Sequence, residues 1–249
     1  MCADSKDVIW FDELNMPLAE KAAKDGKVII IPCGSIEEHG THLPLNTDSL
    51  QAEYIAMEVA KKTGSLLAPP LRYGLCNSTR NFPGTVTISF DSLRSIMTDI
   101  LDDFVRNGFQ RLLVLTGHAG SSHMIAIKLA AKVVVNKHMQ EKNRPRIMVC
   151  SDYDFAFDLK DKNIDDRDSH AGTIETSRVM AIRPDLITGK GTKNFPNLPR
   201  FEITPDPQKF FPSGVMGDPT IASVEIGQKI NEYVVEQISK LVEELKKDK

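Results

Sequence analysis

The sequence predicts an α/β fold: a mostly parallel central sheet with helices on both faces. Three observations predict it. Short, continuously apolar runs recur at residues 28–32 (VIIIP), 112–115 (LLVL) and around 147–150 (IMVC). Runs of that length without polar alternation suit strands covered on both sides. Segments of helical period lie between and after them, and the first two runs end in glycine-containing loops, as strands do before turning into helices.

Taken in order, the 28–32 run leads into the polar stretch GSIEEHGTHLPLNTD, residues 34–48. The next clear element is helical. Between residues 91 and 107, apolar side chains fall at Leu93, Ile96, Met97, Ile100, Leu101, Phe104 and Val105, an i, i+3, i+4, i+7 stripe. Asp91 or Ser92 is placed to cap its start, and Gly108 stands just past its end. The 112–115 strand ends in TGHAGSS, and residues 121–138 form the second helical candidate. After the 147–150 strand, the last helix starts at about Ala222 and carries Ile226, Ile230, Val234, Ile238, Leu241 and Leu245 on one face. Residues 190–219 are rich in Gly and Pro, yet their aromatics argue for an ordered loop or an oligomer contact rather than a tether.

Composition narrows the function classes. The chain has 249 residues, 41% hydrophobic and 26% charged, with a net charge of −3 and both signs interspersed. That leaves no electrostatic footprint for nucleic acid or a membrane surface. No apolar run approaches the roughly 20 residues that span a bilayer, and the N-terminal stretch lacks a signal-peptide core. The cysteines, Cys2, Cys33, Cys76 and Cys150, form no CxxC pair. Cys33 and Cys150, at the ends of apolar runs, read as buried thiols, and the cysteine usage suggests a reducing cytoplasm.

In an open α/β sheet, ligands bind beyond the carboxyl ends of the strands, and the polar clusters sit there. Glu37, Glu38, His39, His42 and Asp48 follow the first strand, His118 and His123 the second, and Asp152, Tyr153 and Asp154 the third. Asp168, His170 and Glu175 form a fourth group. In extended chain, residues i and i+2 share a side, so Glu37 and His39 face one point while Glu38 turns away, and Asp48 can return through the loop. Glu, His and Asp together form a ligand set for Zn²⁺, Mn²⁺ or Fe²⁺. His42 reads as a packing residue or a partner for a neighbouring carboxylate, His123 as a structural neighbour of the site, and His138 as an exposed helix residue.

These blocks resemble the creatininase (creatinine amidohydrolase) family. Its signature is a Glu-x-His after the first strand followed nine residues on by Asp, here Glu37, His39 and Asp48. FPGT (82–85), LTGHAGSS (115–122), HAGTIETS (170–177) and SGVMGDPTIAS (213–223) match further family blocks in order, so the resemblance covers nearly the whole of 1–249 as one domain. It implies a three-layer α/β/α sandwich holding two divalent metal ions (Zn, Mn or Fe). Glu37 and His118 would bind one metal, His39 the other, and Asp48 would bridge them, with His170 as a catalytic histidine beside them. The implied activity is hydrolysis of a non-peptide C–N bond (amide, cyclic amide or formamide) in a small-molecule substrate. The implied assembly is a homo-oligomer, a hexamer built from dimers.

The chain departs from the namesake in three ways. The metal-binding Glu that creatininases carry two residues after the matching histidine is Gly120 here, which makes Glu175 the best candidate for the replacement ligand and a further catalytic candidate, the alternative being a second metal held more weakly or absent. The tryptophans that wall the creatinine pocket are missing: Trp10 lies outside every block, and Tyr153 stands where one would be. Asn77, Ser78, Arg80, Gly120, Tyr153 and Arg167 are therefore the substrate-binding candidates, with Arg80 and Arg167 favouring an anionic substrate. That fits the formamidopyrimidine-nucleotide deformylase branch of the family. Finally, TGHAGSS offers backbone N–H groups to an anion, or a helix start capped by Ser121 or Ser122. A non-catalytic metal- or phosphate-binding protein on the same fold is the alternative reading.

Overall fold

The computed structural model describes residues 9–141, 143–159 and 164–247; Cys2 lies outside them. Among these residues, four strands form one sheet: β1 (Ile29–Cys33), β2 (Leu66–Leu67), β3 (Arg111–Thr116) and β4 (Arg146–Ser151). Their order is β2-β1-β3-β4, and every pairing is parallel. The three strands read from the sequence are present within a residue or two. β2 was not foreseen: its two residues are too short to show a pattern.

Among the described residues, seven α-helices complete the fold: α1 (Met16–Lys24), α2 (Thr47–Thr63), α3 (Phe90–Arg106), α4 (Ser121–Lys137), α5 (Tyr153–Ala156), α6 (Thr173–Ile182) and α7 (Val224–Lys246). Alternate strand residues feed two cores. Ile29, Ile31, Leu112 and Val114 face Ala22 of α1, Leu93, Met97 and Leu101 of α3, and Ala126, Ile127 and Val134 of α4. Val28, Ile30, Leu113 and Leu115 face Ile55 and Val59 of α2, Ile174 of α6, and Ile230, Val234 and Ile238 of α7. Helices thus cover both faces of a parallel sheet, a three-layer α/β/α arrangement. Each fully buried aliphatic side chain contributes about 1.5–3 kcal/mol.

The caps correct the sequence reading in detail. α3 starts two or three residues earlier than a cap at Asp91 or Ser92 would put it: Ser89 caps it, its hydroxyl accepting from Ser92 N at 3.1 Å. Ser223 caps α7 in the same way, accepting from Ile226 N at 3.2 Å. At α4 neither Ser121 nor Ser122 caps; Gly120 holds the N-cap position with no side-chain bond.

The 190–219 stretch is built into the body of the protein. Asn194 and Gly217 exchange backbone hydrogen bonds (2.9 and 2.7 Å), and Phe211 is buried against Phe82. Its outer turn exposes Phe201 (88%) and Ile203 (96%). No described helix is long and apolar enough to cross a membrane.

Candidate metal centre

The sheet order sets the location. From β1 the chain crosses to β2 on one side and then to β3 on the other, so the connections diverge at the carboxyl ends of β1 and β3. That crevice is where an open α/β sheet binds ligands. The loop after β1 supplies Glu37 and His39, and the loop after β3 supplies His118. Asp48 arrives by an unexpected route: it sits in the first turn of α2, not in extended chain. The positive end of a helix favours a carboxylate there. β3 and α2 can meet because residue 117 is glycine; a Cβ on it would lie 2.1 Å from the Asp48 carbonyl oxygen.

The two oxygens of Asp48 divide between two imidazoles. Oδ1 lies 3.1 Å from His39 Nε2, and Oδ2 lies 2.9 Å from His118 Nδ1. Glu37 Oε2 adds a second oxygen 2.9 Å from His118 Nδ1, and Glu175 Oε2 adds one 3.5 Å from His39 Nε2. The far nitrogen of each ring is already engaged. His39 Nδ1 donates to the Glu37 carbonyl at 3.1 Å, and His118 Nε2 donates to the Leu75 carbonyl at 3.1 Å. Each ring therefore turns a lone pair toward two carboxylate oxygens. Ser35 Oγ donates to Asp48 Oδ2 and Ala171 N to Glu175 Oε2, but neither serves the imidazole lone pairs, so acceptors still face each other at two points, a gap that a proton or a cation must fill. The donor set, carboxylate oxygen and imidazole nitrogen, suits a divalent cation at either point.

Electrostatics point the same way. Glu37, Asp48 and Glu175 are all buried. Burial would lower His39, but the Asp48 and Glu175 carboxylates outweigh it and lift it to about 10. Burial is likewise overridden at His118, which Glu37 and Asp48 raise well above its usual value. Burial opposes ionisation of Asp48, yet His39 and His118 hold it well below the carboxylate range. Glu175 is raised, chiefly by burial. Without a metal, then, protons on the imidazoles balance the acids; divalent ions would compete for the same lone pairs.

His170 stands beside this pair. Its ring lies against that of His39, tilted by 33° with centroids 4.3 Å apart, and its Nε2 lies 2.8 Å from the Glu38 carbonyl and 3.2 Å from Glu38 Oε1. Glu38, which the alternation turned away from the Glu37–His39 point, instead orients His170. Burial and the neighbouring His39 push His170 down, but Glu38, Glu37 and Glu175 leave it raised overall. A cavity of about 440 Å³ opens over Glu37, Asp48, His118, His170 and Glu175.

The substrate candidates divide. Ser78, Gly120 and Tyr153 line the cavity, and Asn77, Arg80 and Arg167 do not. Arg167 is exposed, forked onto Asp165 (2.9 and 2.8 Å) and lying over the Phe195 ring. Arg80 is exposed, and Asn77 donates to Ser122 Oγ at 3.3 Å. Tyr153 is buried, and its hydroxyl donates to Gln51 Oε1 at 3.3 Å, so it offers the cavity its ring.

Several polar residues from the strand ends are structural. Asp168 accepts from the Thr173 and Ile174 amides at the start of α6, and Asp152 pairs with buried Arg178 at 2.6 Å. His42 holds Thr176 Oγ1 at 2.9 Å rather than a carboxylate. His138 is half-buried rather than exposed, paired with Asp102 at 2.8 Å. His123 is buried; Leu75 N donates to its Nδ1 at 3.2 Å, and its Nε2 faces Thr116 Oγ1 at 3.2 Å.

Sequence reasoning missed Ser35, Thr79 and Cys76. The Ser35 hydroxyl donates to Asp48 Oδ2 at 2.5 Å, and Thr79 donates to Glu37 Oε1. Cys76 Sγ belongs to a group with Glu37 and His118 whose ligand atoms all lie within 4.8 Å of one another. A small hydroxyl or thiol in a loop carries no periodic signal; only its nearness in sequence to the family-like blocks could have drawn attention to it.

Comparison with known proteins gives consistent results. The family profile described as Creatininase, creatinine amidohydrolase, matches residues 12–242. The creatinine amidohydrolase of Pseudomonas putida is 29% identical over 234 residues, covering 87% of this chain and 89% of that protein. The mycofactocin precursor peptide peptidase of Mycolicibacterium smegmatis is 28% identical over 214 residues, covering 82% and 79%. A solved structure of a mutant creatininase, described as of Zn–Zn type, superposes with a TM-score of 0.85 at 25% identity, covering 96% of this chain and 99% of that one.

Proposed function

The chain belongs to the creatininase family, and on that premise we propose that this hydrolytic enzyme is a metal-dependent amidohydrolase that uses activated water to cleave a non-peptide C–N bond in a small molecule. The observation that carries the proposal is the division of Asp48, one oxygen to His39 and the other to His118. A single carboxylate so placed can serve two cations.

Glu37, Asp48 and His118 would hold one ion, and His39, Asp48 and Glu175 the other. Zinc, manganese or iron bound there would lower the pKa of a water and polarise the substrate carbonyl. The protein's own groups do the rest. The Ser35 hydroxyl and the Glu37 and Leu75 carbonyls fix the ligands' orientations before any ion arrives. His170, anchored through Nε2 to Glu38, keeps Nδ1 as the nitrogen that passes a proton to the departing amine. The Tyr153 ring, Ser78 and the Gly120 backbone shape the cavity wall.

No Lys or Arg occurs among the described residues that line the cavity. With Arg80 and Arg167 outside it, the charge argument for a phosphorylated substrate loses its support, and a small uncharged lactam or formamide fits better. Creatinine itself should react weakly, because the tryptophan walls are missing; Trp10 packs against the core that the sheet shares with α2 and α7, outside the cavity lining.

The test is a panel: metal-loaded protein against creatinine, small lactams, simple formamides and a phosphorylated formamidopyrimidine, with and without chelator. Chelator-sensitive turnover of an uncharged cyclic amide or formamide is expected. Turnover confined to the phosphorylated substrate would overturn the neutral-substrate reading. No chelator-sensitive amide hydrolysis across the panel would overturn the function.

A further inference from the structure

We infer that Cys76 supplies a sulfur donor to the ion held by Glu37 and His118, making that position the tighter and more zinc-selective of the two. The inference rests on the metal-centre reading above.

The backbone around Leu75 is clamped by two histidines. Its N–H donates to His123 Nδ1 (3.2 Å), and its carbonyl accepts from His118 Nε2 (3.1 Å). The next residue, Cys76, is fixed in turn by its own N–H, which donates to Thr87 Oγ1 at 2.9 Å. The same contact that turns the His118 lone pair toward Glu37 and Asp48 therefore also places the Cys76 side chain beside them. The ligand atoms of Glu37, Cys76 and His118 lie within 4.8 Å of one another. Ligand atoms around a four-coordinate zinc stand about 3.3–3.8 Å apart, so closing the set takes shifts of about 1 Å. Of the cysteines among the described residues, Cys33 and Cys150 join no such group.

The opposite side of His118 is closed to any new ligand. A Cβ at residue 120 would lie 2.6 Å from His118 Nε2, so with the ring turned to Leu75 this position accepts glycine. Among the described residues, Cys76 is then the further His, Cys, Asp or Glu donor grouped with Glu37 and His118, the nearby Ser35 hydroxyl being given to Asp48 Oδ2. The second position, at His39, Asp48 and Glu175, has only oxygen and nitrogen donors. A thiolate favours zinc over manganese, whereas an all-oxygen and nitrogen set discriminates less.

Cobalt(II) tests this directly. Metal-free full-length protein titrated with Co²⁺ should develop both d–d bands and a sulfur-to-cobalt charge-transfer band in the near ultraviolet. Cys76→Ser should keep the d–d bands and lose the charge-transfer band, and Cys33→Ser should keep both. Chelator competition should show Cys76→Ser weakening zinc by roughly 10–100-fold, with manganese affected less. Cobalt d–d bands without charge transfer in the wild type would overturn the sulfur ligand and leave the metal centre standing. No cobalt uptake at all would overturn both. The wild-type spectrum decides the matter even if the serine variant fails to fold.

Discussion

Asp48 Oδ2 and His118 Nδ1 face each other at 2.9 Å across the carboxyl ends of β1 and β3, while Asp48 Oδ1 faces His39 Nε2 at 3.1 Å. One short side chain at the start of α2 thus connects both halves of the site. Replacing Asp48 with Ala should cost both metals, because each cation loses a donor and the charge that offsets its neighbour. Elemental analysis of purified Asp48→Ala should give well under about half the wild-type metal content, since losing even an orienting contact costs 10–100-fold in affinity. Full metal content would remove Asp48 from the site.

His170 can be separated from the ligands by experiment. Its Nε2 is committed to Glu38 rather than to the carboxylates that converge on His39 and His118. His170→Ala should therefore bind metal normally while turnover falls ~10²–10⁴-fold. Loss of metal from this variant would make His170 a ligand, and unchanged turnover would leave proton transfer to another group.

How much of this was readable in the sequence depends on the kind of signal. Strand ends and the Glu37–His39 spacing were visible because period and i, i+2 geometry are local. The route of Asp48 was not, because α2 buries Ala52, Ile55, Ala56, Val59 and Ala60, and alanines make a faint hydrophobic stripe. Arg167 went astray for a physical reason: Asp165, two residues away, captures it at the surface. The Leu75 carbonyl, which sets the orientation of His118, is a backbone group and leaves no trace in side-chain identity.

Self-association is expected from the surface. Phe201 and Ile203, 88% and 96% exposed, project from the 190–219 loop with Leu198 and Phe210 nearby in sequence. Light scattering at micromolar protein should give a multiple of the 27.7 kDa chain mass. The double variant Phe201→Asp, Ile203→Asp should lower that mass if this loop is the contact. A monomeric wild type would contradict the expectation.

The buried pair beneath the site gives a stability prediction. Arg178 is fully buried; it donates from Nη2 to Asp152 Oδ2 at 2.6 Å and from Nε to Asn231 Oδ1 at 2.9 Å. Arg178→Met leaves the Asp152 charge without its partner and should destabilise by about 3–5 kcal/mol. Adding Asp152→Asn should recover part of that loss, because the stranded charge goes with it. Equal denaturation midpoints for the single and double variants would mean that packing rather than charge dominates.

The last prediction concerns pH and separates the metal-free from the loaded protein. His42 is pushed down to about 4 by burial and by neighbouring His39 and His170, and His123 to about 3 by burial and His118. Unfolded, both return to near 6.5. Below that value the unfolded chain binds more protons, so the stability each contributes is present above about pH 6.5 and lost as pH falls toward 4. His39 works in the opposite direction. The Asp48 and Glu175 carboxylates overcome burial and lift it to about 10, so its contribution is complete below about pH 6.5 and lost as pH rises toward 10. Metal-free protein should therefore be most stable near neutrality, with melting temperature falling on both sides; shifts of about 2.5 to 3.5 units correspond to at most about 3–5 kcal/mol each. A bound ion takes the place of the His39 proton, so loading with divalent metal should abolish the alkaline fall and leave the acid fall in place. Melting curves from pH 4.5 to 10, with chelator and with metal, measure both limbs. An alkaline limb unchanged by metal would mean that the ion does not occupy the His39 lone pair.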